Sequence, residues 1–188
     1  MEAFLVSLTT IAVAEIGDRT QLLSLVLVAR YRKPLPIIAG ILCATLANHG
    51  AAGFIGLWFG SLLKPKMLEI LVAVSMIAMA LWTLKPDKLD EGTASSSAAG
   101  AFFATLTSFF IAEIGDKTQI ATMALAAAYP NLAAVVLGTT LGMLAANVPV
   151  VFLGKAFADR LPMKAIHYAA SALFLILGAV FLLRALWR

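Results

Sequence analysis

The chain is a series of long apolar runs separated by short clusters of charged residues and prolines. A membrane-spanning helix needs about 20 apolar residues, and each run is long enough to meet that requirement. The clusters fall at 30–34, 64–66, 85–100, 129–131 and 155–164. The pattern therefore predicts six membrane helices, at 3–30, 35–62, 67–84, 99–128, 132–156 and 163–186.

The composition supports a multi-pass integral membrane protein. Of the 188 residues, 62% are hydrophobic and 13% are charged, whereas a soluble domain averages about half apolar and about a quarter charged. This balance argues against a soluble enzyme, a disordered chain and a nucleic-acid-binding protein. The expected surroundings are the lipid bilayer, and the function must lie within it.

The chain contains an internal repeat. Residues 14–21, Ala-Glu-Ile-Gly-Asp-Arg-Thr-Gln, recur at 112–119 with lysine in place of arginine, an offset of 98 residues. Each copy lies in one half, 1–84 or 99–188, and the Ser-rich segment 85–98 between them has the composition of a flexible linker.

The repeat predicts an inverted topology. Three spans are an odd number, so the second half enters the membrane from the opposite side. The predicted fold is an all-α integral membrane protein with six transmembrane helices arranged as two inverted three-helix repeats. Many secondary transporters have this architecture.

The distribution of basic residues predicts the orientation. With six spans, one side of the membrane carries eight loop lysines and arginines and the other carries four. Cytoplasmic loops are enriched in these residues. We therefore expect the central linker in the cytoplasm and both termini outside.

Each motif carries two carboxylates deep in a predicted span: Glu15 with Asp18, and Glu113 with Asp116. Glu15 lies about 12 residues, or roughly 18 Å, into its helix, near the middle of a hydrocarbon core about 30 Å thick. On a continuous helix, residues three apart share a face. Two such helices crossing near the midplane would bring all four carboxylates together.

Buried charge at this depth is costly and usually functional. A purely structural alternative is that Glu15 pairs with Arg19, and Glu113 with Lys117, in ion pairs within one helix that only hold helices together. If these two cations neutralise two of the four carboxylates, a charge of −2 remains. That charge suits one divalent cation or two protons.

The remaining candidate ligands near the carboxylates are oxygen atoms, which suit Mg²⁺, Ca²⁺ and Mn²⁺ better than zinc or copper. Protons could replace the cation when it leaves the carboxylates. Gly17 and Gly115 would allow either close helix packing or a local helix break. The predicted supporting residues are Arg19, Thr20, Gln21, Lys117, Thr118, Gln119, Asn48 and Asn147.

Two further features have alternative interpretations. His49 follows Asn48 and has no counterpart in the second half, so it is either a proton relay or a buried polar group with a structural role. Gly56 with Gly60, and Gly138 with Gly142, place small residues on one helix face, which is typical of close helix packing.

The duplicated Glu-x-Gly-Asp-(Lys/Arg)-(Thr/Ser), here 15–20 and 113–118, resembles the signature of the small six-helix cation/proton antiporter family. That family includes bacterial manganese exporters and Golgi manganese/calcium transporters. The resemblance implies that Glu15, Asp18, Glu113 and Asp116 bind the transported Mn²⁺ or Ca²⁺, with no prosthetic group. It also implies export from the cytoplasm in exchange for protons, and a bacterial inner-membrane location with manganese as the first choice.

Three alternatives stay open at this point. Exporters of the lysine-exporter type carry an amino acid or organic cation, whose ammonium group four carboxylates would also accept. An intramembrane hydrolase could use two acids, although it would not need two near-identical halves. The site could also be structural, in a non-transporting assembly factor. A homo-oligomer is compatible with the sequence, which does not set the oligomeric state.

Overall fold

The structure is a computed structural model that describes residues 1–85, 100–154 and 162–187. Within these ranges every regular element is an α-helix. The helices are α1 (Glu2–Glu15), α2 (Arg19–Tyr31), α3 (Pro34–Leu62), α4 (Pro65–Thr83), α5 (Ala101–Glu113), α6 (Lys117–Ala128), α7 (Leu132–Leu153) and α8 (Met163–Trp187).

Four of the six predicted spans are confirmed as single helices. These are α3, α4, α7 and α8, and each is long and apolar enough to cross a membrane. The predicted end of the fifth span, at 155–156, lies outside the described residues. So does the predicted linker apart from Lys85.

The other two predicted spans are wrong as continuous helices. The segment predicted at 3–30 consists of α1 and α2, and the segment predicted at 99–128 consists of α5 and α6. The length of an apolar run predicts that a segment lies in the membrane, but it does not show where the backbone leaves the helical conformation.

Proline and asparagine set several helix starts. Pro34 and Pro65 are the first residues of α3 and α4, a position where the missing N–H is not needed. Before α7, the side chain of Asn131 accepts a hydrogen bond from the Ala134 N–H at 3.0 Å. This bond satisfies one of the free N–H groups at the helix start.

Glycines allow the helices of the two halves to pack closely. The most extensive helix–helix contacts pair α1 with α7, α4 with α8, and α3 with both α5 and α6. Gly138 and Gly142 lie against the backbone of α1, and Gly56 and Gly60 lie against the backbone of α6. The predicted role of these glycines in helix packing is confirmed.

The distribution of side chains differs from that in a soluble protein, although the interior also contains a hydrophobic core. Large apolar side chains such as Phe54, Leu81 and Ile176 are exposed on the outside, where they face lipid in a membrane. The interior contains polar and charged side chains, most of them near the two motifs. The fold thus encloses a polar centre within an apolar shell.

The glycine contacts generate a stability prediction for α3. An added Cβ at Gly56 would collide with the main-chain carbonyl of Met123, whereas one at Gly50 would meet nothing within 4 Å. Gly56→Ala should therefore lower stability by about 1–3 kcal/mol. Gly50→Ala, the matched control on the same helix, should leave it unchanged or slightly raised. Thermal unfolding of both variants in detergent micelles tests this, and equal melting temperatures would contradict it.

Candidate cation site

The repeated motifs form two matching helix breaks. Glu15 is the last residue of α1 and Asp18 is the N-cap of α2, and the intervening Gly17 has a φ of 84°. The second motif repeats this arrangement, with Gly115 at a φ of 73°. Because a positive φ strongly favours glycine, the glycine of each motif is what allows the break.

The break corrects the predicted geometry of the carboxylates. Glu15 and Asp18 do not lie one turn apart on a single helix, and neither do Glu113 and Asp116. Each glutamate ends one half-helix and each aspartate begins the next. Of the two roles considered for the motif glycines, the local break is confirmed.

A glutamine side chain stabilises each break. Gln21 Oε1 accepts a hydrogen bond from the Gly17 N–H at 3.0 Å, and Gln119 Oε1 accepts one from the Gly115 N–H at 2.8 Å. Interrupted helices leave backbone donors that lipid cannot satisfy. The two predicted supporting glutamines therefore satisfy backbone donors at the breaks.

The aspartates form ion pairs between the two halves. Lys117 Nζ lies 2.6 Å from Asp18 Oδ1, and Arg19 Nη2 lies 3.0 Å from Asp116 Oδ1. Each cation therefore pairs with the aspartate of the other motif. The sequence alternative paired each cation with the glutamate of its own motif, whereas these two ion pairs turn Arg19 and Lys117 towards the opposite half.

The two glutamates are completely buried and contact neutral polar side chains. Asn147 Nδ2 contacts Glu15 Oε1 at 3.5 Å, and Thr118 Oγ1 donates to Glu113 Oε2 at 3.3 Å. Within the described residues, Glu15 Oε2 and Glu113 Oε1 have no hydrogen-bond donor. These oxygens are well suited to accept a cation or a proton.

The supporting asparagines connect the long helices to the half-helices. On α3, Asn48 donates to the Phe110 carbonyl at 3.1 Å and faces Gln119 Nε2 at 3.4 Å. On α7, Asn147 accepts from Ser24 Oγ at 2.9 Å. Each asparagine thus contacts the half-helices of the opposite half, through different partners.

The two threonines of the motifs differ in their contacts. Thr118 Oγ1 also lies 3.1 Å from Asp116 Oδ2, whereas Thr20 is fully buried and its hydroxyl has no hydrogen-bond partner among the described residues. The hydroxyl of Thr20 therefore remains available to a bound ion or water.

His49 lies beside the site, although the sequence did not place it among the candidate site residues. Its Nε2 is 3.6 Å from Glu113 Oε2, and both side chains are fully buried. The sequence signal was a histidine within an apolar helix next to a repeat-matched asparagine. No histidine occupies the matching position in the second half, and this argued against a functional role. A single histidine beside one of the two glutamates is nevertheless compatible with such a role.

Asp18, Glu113 and Asp116 are close enough to Glu15 to act on it electrostatically. All four motif carboxylates therefore lie in one region. Among the residues described, however, no three Asp, Glu, His or Cys side chains are grouped closely enough to hold a metal ion. The four-carboxylate ligand set stays a prediction. Four carboxylates and two paired cations leave a formal charge of −2 in this region.

A family model for the divalent cation/proton antiporter GDT1 matches residues 3–91 and 101–187, one match in each half. This chain belongs to the GDT1 divalent cation/proton antiporter family. The family is one of transporters, so the intramembrane-enzyme alternative is not supported. Its cation and proton substrates also favour a cation over the amino acid of a lysine-type exporter.

Individual relatives extend this result. A Vibrio cholerae protein named "Putative manganese exporter" is 53% identical over 95% of this chain and 89% of its own length. A GDT1-like protein of Synechocystis is 26% identical over 96% of both chains. GDT1-like protein 3 of Oryza sativa subsp. indica is 27% identical over 93% of this chain and 71% of its own. No solved structure is significantly similar to this chain.

The ion pairs between the halves generate a prediction for stability. The Lys117–Asp18 pair is almost completely buried, whereas the Arg19 side chain is 25% exposed. Lys117→Gln should remove the positive charge that lies 2.6 Å from the buried carboxylate of Asp18 and cost about 3–5 kcal/mol, and Arg19→Gln should cost clearly less. Thermal unfolding in micelles measures both.

The double variant Asp18→Asn/Lys117→Gln is the control for this pair. It removes both charges, so it should recover much of the stability that Lys117→Gln loses. A double variant as unstable as the sum of its two single variants would show that the pair is not coupled.

Proposed function

We propose that this protein exports Mn²⁺ from the cytoplasm in exchange for protons. The carboxylates of Glu15, Asp18, Glu113 and Asp116 bind the cation. The proposal rests on one observation, that the two helix breaks lie close together. Each break contributes a buried glutamate and an aspartate that forms an ion pair with the basic residue of the other half. The residues that support this site are Arg19, Thr20, Gln21, Lys117, Thr118, Gln119, Asn48 and Asn147.

Manganese is the proposed substrate for two reasons. The 53% identical relative is named as a manganese exporter, and carboxylate, hydroxyl and amide oxygens are the ligands that Mn²⁺ and Ca²⁺ prefer. Ca²⁺ is the second choice.

Charge balance explains why a cation and protons would exchange at this site. With Asp18 and Asp116 neutralised by Lys117 and Arg19, the two glutamates contribute the remaining charge of −2. One divalent cation or two protons would each bring the site to neutrality. An empty site would leave charge in a low-dielectric region, so release of one substrate favours uptake of the other.

The proposed architecture is six spans in two inverted repeats, 1–84 and 99–188, joined by the linker 85–98. In this scheme α1 with α2 forms the first span, and α5 with α6 forms the fourth. The contacts at one end of the molecule support it, because Tyr129 Oη donates to Glu2 Oε1 at 3.1 Å and Arg184 lies 3.6 Å from the same oxygen. Six spans would bring these three residues to one side of the membrane.

The central function is tested by Mn²⁺-driven proton flux in proteoliposomes. Wild-type protein should move protons when a Mn²⁺ gradient is applied. Glu15→Gln and Glu113→Gln should each abolish this flux, because neutral amides cannot exchange a proton for the cation.

The control for this test is Glu69→Gln, the same chemical change on α4 outside the motifs, which should retain flux. Size-exclusion profiles and melting temperatures must show that all variants are folded. Wild-type protein without a response to either Mn²⁺ or Ca²⁺ would overturn the proposal.

The orientation is tested by cysteine labelling on either side of α4. In a Cys43→Ser background, which removes the single cysteine of the chain, Lys64→Cys and Lys85→Cys provide two exposed positions. An impermeant maleimide should label position 64 in spheroplasts and position 85 only in inside-out vesicles. The opposite pattern would reverse the proposed direction of insertion.

A further inference from the structure

We propose that His49 donates a nitrogen ligand to the transported cation, on the Glu113 side of the site. The inference rests on the proposed cation/proton exchange and adds a residue that determines which cation is preferred. Its starting point is a buried imidazole whose two nitrogens make no hydrogen bond with any residue that the structure describes.

The surroundings of His49 point to a missing partner. The residue lies in the middle of α3 and is fully buried. Among the described residues, neither Nδ1 nor Nε2 makes a hydrogen bond. Buried polar groups without a hydrogen bond are rare in folded proteins and call for an explanation. A ligand that binds at this point would supply one.

The separation between His49 and Glu113 fits a shared cation. Nε2 and Glu113 Oε2 are 3.6 Å apart, which is longer than a hydrogen bond. Two ligand atoms that are each about 2.2 Å from one ion are roughly 3.1–3.6 Å apart at octahedral to tetrahedral angles. An ion between these two atoms would need only a small adjustment of either side chain.

Other groups near this point supply oxygen. Thr118 Oγ1 contacts the same Glu113 oxygen at 3.3 Å, and Glu113 Oε1 has no donor among the described residues. A set of oxygens with one imidazole nitrogen favours a first-row transition ion over Ca²⁺ and Mg²⁺, which take oxygen ligands. His49 would therefore favour Mn²⁺ over the more abundant hard cations.

The nitrogen would also make the two halves chemically different. Glu15 faces the amide of Asn147 at 3.5 Å, whereas Glu113 faces the imidazole of His49. The residue that follows Asn147 is Val148, so α7 has no donor in the position that His49 occupies beside Asn48. We infer that the Glu113 half is the part of the site that distinguishes one cation from another.

Pulsed electron paramagnetic resonance of Mn²⁺ bound to the purified protein tests the ligand directly. A bound imidazole should give a ¹⁴N coupling to Mn²⁺ that changes when the protein is labelled with ¹⁵N-histidine. The chain has two histidines, so two variants assign the signal. His49→Asn should remove the coupling, and His167→Asn should keep it.

Transport selectivity is the second measurement. His49→Asn and His49→Gln should lower the ratio of Mn²⁺ to Ca²⁺ transport about 10-fold or more, the size of effect seen when groups around a metal site are removed. A purely structural role would lower both fluxes equally and would overturn the inference.

The outcomes separate this inference from the proposed function. Wild-type protein that binds Mn²⁺ without a histidine ¹⁴N coupling overturns the role of His49 and leaves the exchange proposal standing. This measurement does not depend on any variant folding. Wild-type protein that neither binds nor transports Mn²⁺ or Ca²⁺ overturns the proposed function, and His49 as a cation ligand with it.

Discussion

An ionised carboxylate in the interior of a membrane protein is costly unless a cation lies at short distance, because neither lipid nor bulk water can screen it. Here Lys117 meets Asp18 at 2.6 Å and Arg19 meets Asp116 at 3.0 Å, each across the boundary between the halves. Each half therefore supplies the cation that pairs with the aspartate of the other half. The rest of the arrangement depends on these reciprocal ion pairs, which require the two motifs to face each other at close range.

The reciprocal ion pairs are made possible by the break in each motif helix. On a continuous helix the cation would lie one turn from the glutamate of its own motif. The breaks at Gly17 and Gly115 instead free Asp18 and Asp116 to begin new half-helices. The glutamine that ends each motif then satisfies a backbone N–H of the break. The glutamate, glycine, aspartate, basic residue and glutamine of each motif therefore have separate physical roles.

The two halves are similar in backbone but differ in what surrounds each break. A side chain at Gly17 would collide with Met163 and come within 3.3 Å of His167 Nε2, whereas one at Gly115 would meet nothing within 4 Å. Glu113 faces a histidine and Glu15 an asparagine. Repeated sequence thus provides a common framework, and single residues outside the motifs make its two ends different.

The sequence by itself determined the membrane class, four of the helices, the repeat and the residues of the motifs, because apolar run length and a near-identical recurrence are properties of the chain alone. It also indicated the family, since the motif is short and specific. Only the tertiary structure decided that Arg19 pairs with Asp116, that both motif helices break, and that His49 lies beside Glu113. Ion pairs between residues about 100 positions apart depend on how the two halves pack. Whether a motif helix is continuous or broken depends on which of these two conformations lets the buried charges meet.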